Sequence, residues 1–194
     1  MHQLVDENFA QELSLIVNDS IRKFTFKMLE MSPSYFWTKP SSSTGKYHPE
    51  QCQGIGGLVR HTKSVVYLAN ELCNTENLEG DERDAVLSAC LLHDLCKYGL
   101  PEGKHTTPNH DYVGAFFLKA QATKLGLDET PMLKEILGGV AWHYGIWSKR
   151  FNGQAVKSYP ADYTRVERLV HTADFVASRK ELKFGFLEEP SFIG

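Results

Sequence analysis

Leu91-Leu92-His93-Asp94-Leu95-Cys96-Lys97-Tyr98-Gly99 decides how this chain is read. Residues 84–98 are apolar on nearly every side, which predicts a helix at the centre of a fold rather than on its surface. The exception is His93-Asp94, an ionisable pair set among leucines and cysteines. An unpaired carboxylate in such surroundings is costly, so Asp94 calls for a partner or a cation.

The flanking segments read as helices too. Residues 6–30 form one amphipathic stretch. Leu58, His61, Val65, Leu68 and Leu72 recur at spacings of three and four, giving a helix over about 58–73. Pro108, with Asn109 as N-cap, introduces a helix over 109–125. Thr130-Pro131 opens another that Gly145 closes. Thr164-Arg165-Val166-Glu167 has the form of a capping box and starts the last helix, which runs to about residue 179. Strand signals are weak throughout. The expected fold is all-α, a compact single-domain bundle of six or seven helices over residues 1–194. Its N-terminal helix lies in 1–31, a Gly/Ser-rich loop in 32–57 and its core over about 47–180.

Composition narrows the function. Of 194 residues 42% are hydrophobic and 23% charged, the profile of a folded globular domain. A net charge of −3 supplies no broad basic field, which excludes an extended nucleic-acid surface but leaves room for a local nucleotide pocket. No apolar run approaches the length of a membrane span and the N-terminus lacks a signal-peptide pattern, so no membrane partner is expected. Cys52, Cys73, Cys90 and Cys96 form no Cys-x-x-Cys pair, which argues against a zinc ribbon and for a reduced, cytoplasmic protein. Gly54-Ile55-Gly56-Gly57 lacks the spacing and preceding strand of a dinucleotide fingerprint. Ser43-Thr44-Gly45-Lys46 lacks the first glycine and the closing hydroxyl of a P-loop.

Histidine is plentiful, with eight residues, and several fall at inward positions of the expected helices. His61 lies in the apolar stripe of its helix, His93 and Asp94 in the buried one, and His110 at the start of the next. His143 ends the one after, and Asp174 shares a face with Val170 and Ala177. Each alone has a plainer reading: a hydrogen-bonded core histidine, a cap made by Asp94, a pairing of Asp174 with Arg168 or Arg179. Four histidines and two aspartates spread over five helices point instead to metal. Imidazole with carboxylate suits Mn²⁺, Fe²⁺, Co²⁺, Ni²⁺ or Zn²⁺ better than Mg²⁺ or Ca²⁺, which prefer oxygen ligands.

His61, the His93-Asp94 doublet and Asp174 within Thr172-Ala173-Asp174-Phe175 resemble the H…HD…D signature of the HD-domain metal-dependent phosphohydrolases. Gly56-Gly57-Leu58-Val59-Arg60-His61-Thr62 is similar to the corresponding entry in HD domains of YhaM-type exoribonucleases. The resemblance covers about 47–179. It implies a first divalent metal held by His61, His93, Asp94 and Asp174. In the two-metal branch, Asp94 bridges to a second ion that His110 and His143 complete. A one-metal site, with those two histidines orienting substrate, stays open.

The implied activity is hydrolysis of a phosphate ester of a nucleotide or short oligonucleotide by metal-activated hydroxide. Asp94 and Lys97 are then the catalytic residues, with Lys97 on the substrate phosphate; a snorkelling helix-end lysine is its plainer reading. Arg60, Lys63, Lys104 and Arg150 are candidates for a positive pocket, and Trp142, Tyr144 and Trp147 for stacking a base. His48 is a candidate for the rim and His171 for supporting Asp174. The alternatives are an HD-type diiron oxygenase with the same order of six ligands, a non-catalytic nucleotide-binding module, and a helical interaction protein.

Overall fold

The computed structural model describes residues 1–148, 157–183 and 185. Among them the regular structure is entirely helical. The α-helices are α1 (His2–Ser14), α2 (Asp19–Glu30), α3 (Gly57–Thr75), α4 (Gly80–Leu92), α5 (His110–Leu125), α6 (Leu133–Trp142) and α7 (Arg165–Ala177). The chain therefore forms the all-α bundle expected of it. No helix among the described residues is long and apolar enough to cross a membrane.

α4 is the axis of the bundle. Ala85, Val86, Leu87, Ala89, Cys90, Leu91 and Leu92 are fully buried, and α4 packs against α2, α3, α6 and α7. Each such leucine contributes about 1.5–3 kcal/mol through removal of its side chain from water. The polar atoms that cross this interior are matched: Thr25 Oγ1 and Ser88 Oγ hydrogen-bond at 2.7 Å between α2 and α4.

The structure differs from the expected helix boundaries in four places. The 6–30 stretch is two helices, broken where Asn18 caps α2 by accepting from the backbone N–H groups of Ser20 and Ile21 at 2.9 and 3.2 Å. The Asn18 N–H itself donates to Asp84 Oδ2 at 2.6 Å, so the break ties the start of α2 to the start of α4. Asn109 precedes α5 without a side-chain capping bond. Met132, at φ 57°, takes a left-handed conformation that delays α6 to Leu133, leaving Pro131 outside the helix. The Thr164–Glu167 capping box, by contrast, is present in both directions at 3.2 and 2.9 Å.

The fourth difference positions the site. The expected helix over 84–98 stops at Leu92, and the chain continues in tighter turns with Lys97 N–H on the Asp94 carbonyl at 3.1 Å and Gly99 N–H on the Cys96 carbonyl at 2.8 Å. Bonds of this i to i+3 type bring side chains three apart into line, which stands Lys97 over Asp94. Gly99, at φ 85°, ends the run where a Cβ would lie 2.7 Å from Thr107 Oγ1.

α6 comes close to its neighbours at Gly139, where a Cβ would lie 2.8 Å from Ala89 Cβ and 3.2 Å from Val170 Cγ2. That approach sets the distance of His143 from the centre, one turn further on. Gly139→Ala is expected to destabilise the fold by about 1–3 kcal/mol through overpacking, despite the better helix propensity of alanine. Urea unfolding measures it; a variant as stable as the parent would remove the close crossing.

Candidate metal centre

The six candidate ligands converge on one buried point. His61 comes from the second turn of α3, His93 and Asp94 from the end of α4, His110 from the start of α5, His143 from the residue after α6, and Asp174 from α7. The four imidazoles and Asp94 have fully buried side chains, whereas the Asp174 side chain keeps 14% of its surface exposed and marks the way to solvent.

Backbone carbonyls aim three of the rings. Nδ1 of His93 meets the Cys90 carbonyl at 2.7 Å, that of His110 the Thr107 carbonyl at 2.8 Å, and that of His143 the Val140 carbonyl at 2.7 Å. A carbonyl only accepts, so each Nδ1 carries the proton and each Nε2 turns a lone pair inward. His93 and His143 are the C-cap residues of α4 and α6, and the carbonyls they take belong to the last turn, where no intrahelical donor remains. Sequence reasoning missed these three carbonyls; the signal was a histidine near a helix boundary, with its acceptor three residues before it.

Around His93, His110 and His143 the inward atoms are acceptors facing acceptors. His110 Nε2 lies 3.2 Å from His143 Nε2 and 3.2 Å from Asp94 Oδ1, and His143 Nε2 lies 3.4 Å from the same oxygen. On the other side, Asp94 Oδ2 is 3.3 Å from His93 Nε2 and 3.6 Å from His61 Nε2. Asp174 Oδ1 approaches His61 Nε2 at 3.0 Å and His93 Nε2 at 3.7 Å. His93 Nε2 and Asp94 Oδ1 make no hydrogen bond at all. Lone pairs crowded against carboxylates in a dry interior are reconciled by a cation. The donor atoms form three overlapping triads: His61, His93 and Asp94; His93, His143 and Asp174; and Asp94, His110 and His143. Within each, the atoms lie no more than 4.8 Å apart. The donor set fits a divalent transition metal.

The charges agree. Burial alone would raise the Asp94 carboxyl, but Lys97 and the surrounding imidazoles hold it well below the usual carboxylate range. Burial is opposed in the same way at Asp174, chiefly by His61, and its carboxyl is lowered. Burial works against the Lys97 ammonium, yet Asp94 and Asp174 raise it above an ordinary lysine. Burial pushes His61 and His110 down. Two carboxylates thus share one ammonium, whose Nζ bonds Asp94 Oδ2.

Arg60 and Lys63, two of the candidates for a positive pocket, are bonded within the protein. The Arg60 guanidinium donates to the carbonyls of Gln51, Gln53 and Ile55, the last two at 3.0 and 2.9 Å. Lys63 donates to the Asn8 carbonyl and to Glu12 at 2.8 Å, and lies 5.5 Å from the Phe9 ring centre, tying α3 to α1. These bonds engage both cations within the protein. Lys104 is exposed, and Arg150 falls outside the described residues.

Of the aromatics, Tyr144 belongs to the centre, its ring 4.5 Å from that of His110. Trp142 packs instead against Tyr163 at 6.0 Å with Lys157 over its ring. Trp147 is half exposed and stacks on Phe175 at 5.8 Å and 9°. His171 serves His143 rather than Asp174, donating from Nδ1 to the His143 carbonyl at 2.6 Å. His48 lies against His61, ring centres 4.7 Å apart.

Fold and site together define a helical protein built round a buried imidazole–carboxylate centre. The sequence model of the HD domain matches residues 58–178, most of the chain, and the chain belongs to the HD-domain family, whose members are generally metal-dependent phosphohydrolases. The match reaches the family and does not single out the exoribonuclease type. No curated protein and no solved structure matches the chain.

Metal should therefore be felt as stability. Mn²⁺ at a hundredfold excess over its dissociation constant is expected to stabilise the protein by about 2.7 kcal/mol, seen as a rise in melting temperature that a chelator reverses. Asp94→Ala should abolish that response. A variant that kept the full metal-induced rise would displace Asp94 from the centre.

Proposed function

We propose that this protein hydrolyses a phosphate ester of a nucleotide or short oligonucleotide with two divalent transition-metal ions. The observation that carries the reading is the division of Asp94: Oδ2 toward His61 and His93, Oδ1 toward His110 and His143. A carboxylate set between two imidazole pairs suits a bridge. His61, His93, Asp94 and Asp174 would hold one ion, and Asp94, His110 and His143 the other. Bound there, such ions supply an activated water and neutralise charge on a phosphoryl group.

The protein's own groups divide the remaining work. Lys97, raised in pKa and nearly buried, keeps its ammonium charged and able to donate to a phosphoryl oxygen as negative charge grows. The centre is itself buried, with His61, His93, Asp94 and His110 fully out of water, which strengthens the charge interactions inside it. A nucleoside is favoured as the organic part of the substrate because Tyr144 and the exposed Trp147–Phe175 stack offer ring faces near the imidazoles. The free, buried state of all four cysteines supports a reducing, cytoplasmic setting.

The test is a screen of nucleoside mono- and triphosphates, cyclic dinucleotides and short RNA and DNA with Mn²⁺, Co²⁺ or Fe²⁺. Phosphate or nucleotide release is measured alongside oxygen uptake. Hydrolysis without oxygen uptake is expected. Oxygen consumption with Fe²⁺ and no hydrolysis would replace the reading with an oxygenase. Lys97→Met should retain the bound metal and lose at least roughly tenfold in kcat, as for removal of one charged transition-state contact; unchanged kinetics would take Lys97 out of the reaction.

A further inference from the structure

The loop over residues 38–57 is sewn to the rest of the fold. The Thr38 and Lys39 carbonyls accept from the N–H groups of Gly56 and Leu58 at 3.2 and 3.0 Å, closing its base against the start of α3. Ser41 bonds the Cys52 carbonyl through both N–H and hydroxyl at 3.0 and 2.8 Å. Tyr98, just beyond the Asp94–Lys97 turn, donates to the Pro40 carbonyl at 2.9 Å. Arg60 fixes the returning arm through three carbonyls, and Gln53 donates to the His48 carbonyl at 3.3 Å. All this backbone bonding delivers one imidazole to the metal centre.

That imidazole is His48. Its ring stands edge to face with His61, and both of its nitrogens are sealed from solvent without a hydrogen-bond partner. A buried imidazole is a donor at one nitrogen and an acceptor at the other, and such groups are ordinarily satisfied. Neutral or charged, an imidazole carries at least one N–H. The contact with His61 sets the ring beside the side of the centre where His61 meets Asp174. It is not one of the converging donors, since the triads that fit an ion draw on His61, His93, Asp94, His110, His143 and Asp174 alone.

We propose that His48 is a substrate-contacting residue: its N–H donates to a phosphoryl oxygen held over the His61–Asp174 side of the centre, opposite the donor supplied by Lys97. This rests on the phosphate-ester reading above. It makes the 38–57 loop a wall of the substrate site, and Arg60 a positioning residue that acts through it. An anionic oxygen would satisfy one of the two ring nitrogens that the protein leaves alone.

The experiment uses Mn²⁺-loaded full-length protein and inorganic phosphate as probe, with affinity read by calorimetry and metal content by elemental analysis. His48→Ala is expected to keep its metal and its helical circular dichroism while phosphate binds about tenfold more weakly, the loss of one hydrogen bond to an anion. His48→Gln, which restores an N–H of similar reach, should recover part of that affinity. Unchanged phosphate affinity in the alanine variant would overturn the proposal, as would loss of metal, which would make His48 a ligand. Wild-type protein that takes up metal but binds no phosphate would instead remove the phosphate-ester reading beneath it.

Discussion

A carboxylate with no exposed surface, Asp94, is the constraint from which the rest of the structure follows. Its oxygens meet four imidazoles and an ammonium supplied by α3, α5, the end of α6 and its own turn. A charge in that position is tolerable only if each of those elements arrives correctly oriented. The bundle can thus be understood as the packing that brings four segments to one oxygen pair. α4 has to be apolar all round because it carries that carboxylate to the middle.

Helix ends, rather than helix faces, do most of the presenting. His93 and His143 sit where α4 and α6 run out of intrahelical donors, and each ring uses the leftover carbonyl to fix its own tautomer. One bond answers two needs, the unsatisfied backbone acceptor and the orientation of the ring. His110 does the same with Thr107, whose own N–H bonds the Lys97 carbonyl at 2.8 Å, so the turn bearing Asp94 and the start of α5 are fastened together.

The sequence made the helical class legible because α4 is apolar in every direction and the other helices carry periodic stripes. It made the six candidate ligands legible because ionisable residues on such stripes stand out, and the structure brings all of them together. Boundaries set by one residue's conformation escaped it: Asn18 splits a stretch of continuous periodicity, and Met132 moves a start that Thr130-Pro131 announces. Partners of long cations escaped it as well. Arg60 and Lys63 look like surface charge in sequence, and what they reach is decided by the fold of the preceding loop and by α1, some fifty residues before Lys63. Tyr144 and Trp142 share one composition signal, yet two residues apart at a helix end they turn to different neighbours, Tyr144 to His110 and Trp142 to Tyr163.

Arg60 and His61 are consecutive, so their side chains leave α3 about 100° apart. One clasps the carbonyls of residues 51, 53 and 55; the other enters the centre. A single peptide unit therefore holds the loop and one imidazole of the centre at a fixed offset from each other.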